Sequence, residues 1–379
     1  MKRLVILGAT GSVGRSALAV VRRHPGRFRV VGLAAGRSVA ALAALAAEFR
    51  PTRVALADRA ALDGRPELRA AGWRTGPDGV AELAAFPSAD IVVNAIVGAA
   101  GLRHTIAALE AGKRCALANK ESLVAAGEIV LDAARRGGGE LVPVDSEHSA
   151  ILQCIGEARP DEVRRIILTA SGGPFRDLDA AAMVGVDAGM ALRHPTWEMG
   201  AKITIDSATL ANKALEVIEA HFLYGLPYDR IDVVVHPTSI VHSFVEFVDG
   251  SVLAQMGEPN MELPILHALS WPRRPPDRAL CTFDPLRSSP LTFEPVDTER
   301  FPLFGLGVEA GRTGGAAPAV FNAANEVAVK AFLEGRVSFR RMAGVVSGAL
   351  DALGGRTADS LKEILEVDAA ARRHAASLV

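Results

Sequence analysis

The sequence predicts an α/β protein: an N-terminal Rossmann-like, doubly wound parallel sheet, then a central α+β region, then a helical C-terminal region. Three observations carry this. Short Val/Ile/Leu runs alternate with Ala- and Leu-rich helical stretches from residue 1 to about 145. The runs are unbroken rather than alternating with polar residues, as expected of parallel strands covered on both faces. Beyond residue 303 only helical patterning remains.

Strands of the first sheet are expected at 4–7, 30–33, 53–56, 91–93, 115–118 and 141–144. The first breaks into Gly8-Ala9-Thr10-Gly11-Ser12-Val13-Gly14 and resumes with helix formers. This spacing suits a dinucleotide: Gly8 permits the tight turn, Gly11 lets backbone N–H groups approach a pyrophosphate, and Gly14 lets the following helix pack on the strand. An ordinary strand-turn-helix junction is the alternative. The second strand runs into Ala34-Ala35-Gly36-Arg37-Ser38, and no Asp or Glu occurs before Glu48. A guanidinium and a hydroxyl there would accept a ribose 2′-phosphate that an acidic side chain would repel, so the cofactor is read as NADP rather than NAD. Later strands end in Asn94-Ala95-Ile96-Val97-Gly98 and Ala118-Asn119-Lys120-Glu121-Ser122, polar residues where ligands enter such sheets.

The central region, 146–270, is expected to hold a helix at 149–158, a strand at 165–169, a glycine turn, a helix from Ser207 onward, and strands at 231–235, 241–248 and 251–255, the last two around Asp249-Gly250. Residues 271–302 read as a proline-rich connector. Helices are expected at 319–333, 340–353 and 360–376, in a C-terminal helical domain (303–379) that shows no chemistry of its own.

With 379 residues and 49% hydrophobic content the chain buries a large core, and a net charge of −1 offers no argument for nucleic acid or an anionic membrane as partner. Cys115, Cys154 and Cys281 lie far apart without metal-ligand spacing, which suits a reducing compartment, and Cys115 and Cys154 read as small buried residues. No apolar run is long enough to span a bilayer, and Met1-Lys2 leads straight into a strand. The expectation is a cytoplasmic protein.

Chemistry concentrates in three places. Val144-Asp145-Ser146-Glu147-His148 sets two carboxylates two apart at a strand end, where an extended chain points both the same way; a helix cap by Asp145 or Ser146 is the simpler reading. Asn212 and Glu216 are helical i, i+4 neighbours with Lys213 adjacent, so Asp145, Glu147 and Glu216 together would make a hard-oxygen site for Mg²⁺ or Mn²⁺, with a surface ion pair as the alternative for Lys213 and Glu216. Ala170-Ser171-Gly172-Gly173-Pro174 and Ser207, at an expected helix N-terminus, are candidate phosphate positions or else a turn and a cap. Between them, Arg193-His194-Pro195-Thr196-Trp197-Glu198-Met199-Gly200 reads as a flap that closes over a ligand, or as a loop anchored by Trp197.

With these segments, and with Ala95–Leu102, Leu117–Leu123, Pro143–His148, Ser171–Phe175, Asp206–Thr209, Asn212-Lys213, His236-Pro237, Gln255–Pro259 and Asn322–Glu326, the chain resembles the 1-deoxy-D-xylulose 5-phosphate reductoisomerase family over nearly its whole length. The resemblance implies NADPH contacts at Thr10, Gly11, Ser12, Val13, Gly36, Arg37, Ser38, Asn119, Glu121 and Gly200. It implies divalent-metal ligands at Asp145, Glu147 and Glu216, for Mn²⁺ or Mg²⁺ with Co²⁺ as a further candidate. Substrate contacts follow at Lys120, Ser146, Glu147, Ser171, His194, Trp197, Ser207, Asn212, Lys213 and Glu216, with Met199 on the flap. Among these, Lys120, Glu147, Lys213 and Glu216 are the implied catalytic residues. Arg37-Ser38 stands where the family more often has Lys-Asn, which keeps one cation and one hydrogen-bonding group. The implied reaction rearranges and reduces 1-deoxy-D-xylulose 5-phosphate, a phosphosugar, to 2-C-methyl-D-erythritol 4-phosphate in the non-mevalonate route to isoprenoid precursors, and the implied assembly is a homodimer.

Competing readings are a diverged NADP-dependent reductase of the same fold, a phosphorylating semialdehyde dehydrogenase, which needs an activated cysteine, and a non-catalytic NADP sensor.

Overall fold

The structure is a computed structural model that describes residues 1–197, 199–280 and 283–379. Glu198 of the expected flap and Cys281 lie outside the described residues. Two compact units form: Met1–Ser122 with Val130–Ser149 and Asn260–Cys281, and Leu123–Ile129 with Ala150–Pro259 and Thr282–Val379.

The first unit is built on a parallel sheet of seven strands, β1 (Lys2–Leu7), β2 (Phe28–Ala35), β3 (Arg53–Leu56), β4 (Arg74–Thr75), β5 (Ile91–Asn94), β6 (Arg114–Leu117) and β7 (Glu140–Pro143), in the order β4-β3-β2-β1-β5-β6-β7. The order reverses direction at β1, so the crevice for a ligand opens at the carboxyl end of this strand. Leu4, Val5, Ile6 and Leu7 are fully buried, which is why the strand reads as an unbroken apolar run. β4, only two residues long, had no signal in the sequence.

Chain order and spatial order part company at the helix Glu262–Ser270, which returns to the first unit. There it packs on the helix Ser12–Arg23, where Arg23 pairs with Glu262 at 2.7 Å and with Asp277 at 2.8 Å. The stretch read as a featureless connector therefore begins inside a packed unit.

The second unit holds a five-stranded mixed sheet of β8 (Val163–Ala170), β9 (Ile231–Val235), β10 (Val241–Phe247), β11 (Val252–Met256) and β12 (Glu294–Pro295), in the order β11-β10-β8-β9-β12. Only β8 and β9 run parallel; the other neighbours are antiparallel. Its largest core cluster joins the helix Ala211–Tyr224 to the C-terminal helices Ala317–Leu333, Arg341–Leu353 and Leu361–Ser377. A further helix, Pro302–Thr313, was not anticipated: its buried face carries Gly307 and Gly311, residues of low helix propensity, beside the proline-rich stretch.

Three local expectations are corrected. The helix expected at 149–158 runs Ser146–Ile155, so Ser146 and Glu147 are helical and the extended-chain argument for Asp145 and Glu147 does not hold. The helix expected from Ser207 is two helices, Ala201–Ala208 and Ala211–Tyr224, with Leu210 between them at φ 58°. The break has a local cause: the Thr209 hydroxyl reaches the Ile205 carbonyl at 3.1 Å and the Asp206 carbonyl at 3.2 Å and accepts the Ala211 N–H at 3.3 Å, closing one helix and starting the next. Cys154 is half-buried, unlike the fully buried Cys115.

Candidate active site

In the first unit the glycine turn has the geometry its spacing implies. Gly8 sits at φ 79°, and a Cβ there would stand 2.4 Å from the Ala95 carbonyl oxygen. A Cβ on Gly14 would stand 2.3 Å from the Gly8 carbonyl oxygen, so the helix Ser12–Arg23 can lie against the turn only with glycine at that position. No side chain caps this helix, whose N-cap is Gly11, and Gly11 and Ser12 are exposed. Its first N–H groups are therefore left without a side-chain acceptor at an exposed helix start, the arrangement that suits an anion. Arg15 donates to the Thr10 carbonyl at 2.7 Å and braces the turn. At the end of β2, Gly36, Arg37 and Ser38 are exposed, and the Ser38 hydroxyl makes no cap to the helix Val39–Phe49 that it precedes.

Beyond β6 the side chains are buried and engaged. The amide nitrogen of Asn119 lies 2.7 Å from the Ile96 carbonyl, 2.9 Å from that of Gly98 and 2.9 Å from the Glu121 carboxylate, while its oxygen accepts from Ser122. Asn119 thus ties the loop after β5 to the end of β6. Lys120, 5% exposed, donates to Asp145 at 2.5 Å. The other Asp145 oxygen accepts the Glu147 N–H at 3.1 Å, so Asp145 caps the helix Ser146–Ile155 and holds Lys120 together. Ser146 donates to the Glu147 carboxylate at 2.6 Å.

In the second unit His194 organises the hydroxyls. Its Nε2 lies 3.0 Å from Ser171 Oγ and 3.1 Å from Ser207 Oγ, and its Nδ1 accepts the backbone N–H of Thr196 at 3.1 Å and of Trp197 at 2.9 Å. An Nδ1 that accepts two N–H groups carries no proton, which places the ring proton on Nε2. Burial, aided by the Arg176 guanidinium, pushes the His194 pKa down to about 4, so the ring offers a neutral N–H. Gly172 and Gly173, at φ 80° and 70°, turn the chain after Ser171, and a Cβ on Gly173 would stand 2.6 Å from the Ser207 carbonyl oxygen. Ser207 comes to this pocket from the last turn of its helix rather than from a helix N-terminus.

Asn212, Lys213 and Glu216 share one face of the helix Ala211–Tyr224, where Asn212 donates to Glu216 at 2.6 Å and Lys213 donates to the other carboxylate oxygen. Lys213 is 4% and Glu216 1% exposed, which removes the surface ion-pair reading. Trp197 tilts over His242, their ring centroids 6.3 Å apart. Gly200 is the exposed N-cap of the helix Ala201–Ala208, and it accepts from Thr204 at 2.9 Å.

Sequence reasoning missed several participants. Arg176 donates to the Ser171 carbonyl at 3.4 Å, and Arg300 donates to the carbonyls of Arg176 at 2.9 Å and Leu178 at 2.7 Å, securing the chain that follows the glycine turn. His242 behind Trp197 gave no signal, whereas Asp206, adjacent to Ser207 in a recognised segment, did. The burial of Cys115, which pushes its thiol up to about 12, gives it no nucleophilic character and counts against the semialdehyde dehydrogenase reading.

Comparison with known proteins gives a consistent picture. Residues 4–127 match the family described as 1-deoxy-D-xylulose 5-phosphate reductoisomerase, residues 141–224 its C-terminal domain, and residues 256–374 the DXP reductoisomerase C-terminal domain. The chain is 52% identical to 1-deoxy-D-xylulose 5-phosphate reductoisomerase of Chlorobium chlorochromatii, over 98% of each chain, and 50% identical to that of Cupriavidus metallidurans, over 99% of this chain and 97% of the other. Among solved structures it resembles a DOX-P reductoisomerase in complex with NADPH, fosmidomycin and magnesium, with a TM-score of 0.94, 40% identity, and coverage of 100% of this chain and 98% of that one. The enzyme of Zymomonas mobilis in complex with NADPH aligns with a TM-score of 0.92 at 44% identity, over 100% of this chain and 98% of the other.

Proposed function

The chain belongs to the 1-deoxy-D-xylulose 5-phosphate reductoisomerase family, and from that premise we propose how its own residues carry out the reaction. It is an NADPH-dependent, divalent-metal-dependent enzyme that rearranges 1-deoxy-D-xylulose 5-phosphate and reduces it to 2-C-methyl-D-erythritol 4-phosphate in the non-mevalonate route. The observation that carries the site assignment is the burial of Glu216 at 1% exposure between two donors, Asn212 and Lys213. A carboxylate is costly to bury for stability alone, and such placements mark chemistry.

In this reading the Ser171 and Ser207 hydroxyls, with the His194 Nε2–H between them, hold the substrate phosphate; the Gly173 N–H, donated to Ser171 Oγ at 3.2 Å, orients that hydroxyl, and Asn212 adds a side-chain amide. A neutral His194 serves as donor without shifting charge between phosphate ionisation states. Trp197, whose N–H is held by His194, covers the bound sugar together with Met199 and excludes water. Phosphate binding far from the reacting carbons supplies the energy that closes this segment.

We assign the metal to the carboxylates that the resemblance implies, Asp145, Glu147 and Glu216, and a donor set of carboxylates alone fits Mg²⁺ or Mn²⁺, with Co²⁺ the further candidate. When bound, the ion supplies positive charge against negative charge developing on substrate oxygens, and NADPH supplies the hydride. Lys120 neutralises Asp145 in the first unit and Lys213 neutralises Glu216 in the second, and each supplies ammonium protons beside its carboxylate. Ser146 orients Glu147 through its hydroxyl. Thr10, Gly11, Ser12 and Val13 present backbone to the pyrophosphate, Gly36, Arg37 and Ser38 receive the 2′-phosphate, and Asn119, Glu121 and Gly200 are the further NADPH contacts that the resemblance implies. The proposed division of labour is cofactor binding by 1–145, catalysis by the central region 146–259, and support by 303–379, with 260–281 packed in the first unit rather than serving in catalysis or as a connector.

A homodimer is part of the reading. β11 terminates its sheet, and Val248, Val252 and Leu253, 63%, 51% and 49% exposed, leave an apolar edge of the kind a second copy covers. Sedimentation at a monomer mass would remove it. No helix among the described residues is long and apolar enough to cross a membrane. A cytoplasmic location is part of the proposal, to be checked by cell fractionation.

The deciding assay is spectrophotometric NADPH consumption with 1-deoxy-D-xylulose 5-phosphate, with and without Mn²⁺, and with NADH as control. The reading requires consumption that a chelator stops and Mn²⁺ or Mg²⁺ restores. A diverged reductase or an NADP sensor would leave NADPH untouched by this substrate.

A further inference from the structure

We infer that Asn325, in the C-terminal helical region, is a positioning residue for substrate binding that acts through Asp206 on Ser207. The inference rests on the phosphate pocket proposed above.

Asp206 is 1% exposed: Asn325 Nδ2 donates to Oδ1 at 2.7 Å, and Lys202 Nζ forms an ion pair with Oδ2 at 2.9 Å without the alignment of a hydrogen bond, so Asn325 makes the one directed bond to the carboxylate among the described residues. The two partners come from different places. Lys202 is one helical turn earlier, in the first turn after the flap segment, whereas Asn325 is 119 residues away on the helix Ala317–Leu333. The residue after Asp206 is Ser207, whose hydroxyl faces His194 Nε2 at 3.1 Å. Two residues further on, Thr209 closes this helix and opens the one that carries Asn212, Lys213 and Glu216. A shift of Asp206 is therefore passed to a phosphate hydroxyl and to the start of the catalytic helix.

Asn325 is fully buried, and its Oδ1 has no hydrogen-bond partner among the described residues. An apolar side chain would spare this acceptor but would leave the buried Asp206 Oδ1 without its donor. What the amide does at this position is hold the carboxylate beside Ser207. This gives the helical region, which shows no chemistry in its sequence, a definite task.

The test is a double-mutant cycle with Asn325→Leu and Ser207→Ala, read as KM for 1-deoxy-D-xylulose 5-phosphate, KM for NADPH, kcat and thermal midpoint. Asn325→Leu alone is expected to raise the substrate KM about tenfold and leave the NADPH KM within about twofold; in the Ser207→Ala background the same substitution adds less than about twofold. A merely structural role predicts equal factors in both backgrounds, or equal loss for both ligands, and either result overturns the proposal. If Asn325→Leu does not fold, Asn325→Ser, which removes the direct bond without adding bulk, is read in the same cycle. Failure of Ser207→Ala itself to raise the substrate KM would overturn the phosphate pocket instead.

Discussion

The backbone N–H of Trp197 donates to Nδ1 of His194 at 2.9 Å, so the ring that faces two serine hydroxyls also holds the segment that would cover them. One imidazole serves both ends only as the neutral Nε2–H tautomer. Burial enforces that form, with Arg176 assisting.

Glu216→Gln keeps size and hydrogen-bonding capacity but removes the charge that faces Lys213 and that the proposed metal site requires. Turnover is expected to fall at least about a thousandfold while NADPH affinity stays within about twofold. Steady-state rates across a Mn²⁺ series, beside a fluorescence titration with NADPH, check this. Metal-dependent turnover near that of the parent would remove Glu216 from the ligand set.

Gly14→Ala introduces a Cβ 2.3 Å from the Gly8 carbonyl oxygen and 2.7 Å from Ala9 Cα, both backbone atoms that cannot swing away. The helix must move off the turn, costing about 1–3 kcal/mol of stability and weakening NADPH binding at least about tenfold. Gly36→Ala, with no atom within 4 Å of the new Cβ, is the matched control and should leave the thermal midpoint unchanged. Equal behaviour of the two variants in calorimetry would contradict the close-packing role of Gly14.

Arg37→Asp replaces an exposed cation at the end of β2 with a carboxylate. The ratio of kcat/KM for NADPH over NADH is expected to fall about a hundredfold, part from lost attraction and part from repulsion of the 2′-phosphate. An unchanged ratio would place the phosphate elsewhere.

His267 and His104 are each 4% exposed, and both ring nitrogens of His267 lack a hydrogen-bond partner among the described residues. Burial, with Arg274 near His267 and Arg103 near His104, pushes both from 6.5 down to about 4. Because the folded values are lowered, the unfolded chain takes up protons first. The stability of the neutral rings is whole above about pH 6.5, declines as pH falls through that value, and reaches its full loss, on the order of 3 kcal/mol per ring, below about pH 4. Thermal melts from about pH 7 to about pH 4 should therefore show a smaller decline for His267→Phe than for the parent. Parallel declines would show that His267 does not take part.

Legibility in the sequence followed the range of the forces involved. The expected strand at 53–56 coincides with β3, whose Val54, Ala55 and Leu56 are all buried and leave a continuous apolar run, and that at 231–235 with β9, which its β-branched residues mark although only its two ends are buried. The helix Pro302–Thr313 was hidden because its buried face uses glycine, and the break between Ala208 and Ala211 because it depends on one threonine hydroxyl. Asp145 and Glu147 were found through an extended-chain argument that the helix Ser146–Ile155 overturns; the residues stand out because a cap and a strand end coincide there.

By itself the sequence determined the family, the glycine turn and the residue types of the site, because turns, caps and helix faces are set by backbone sterics over a few neighbouring residues. Only tertiary structure decided that Ser171 and Ser207, from different segments, share one imidazole, and that an amide 119 residues downstream holds the carboxylate beside Ser207. Such partnerships join positions with no fixed spacing in the chain, and they exist because close packing leaves each buried polar atom few places to find a partner.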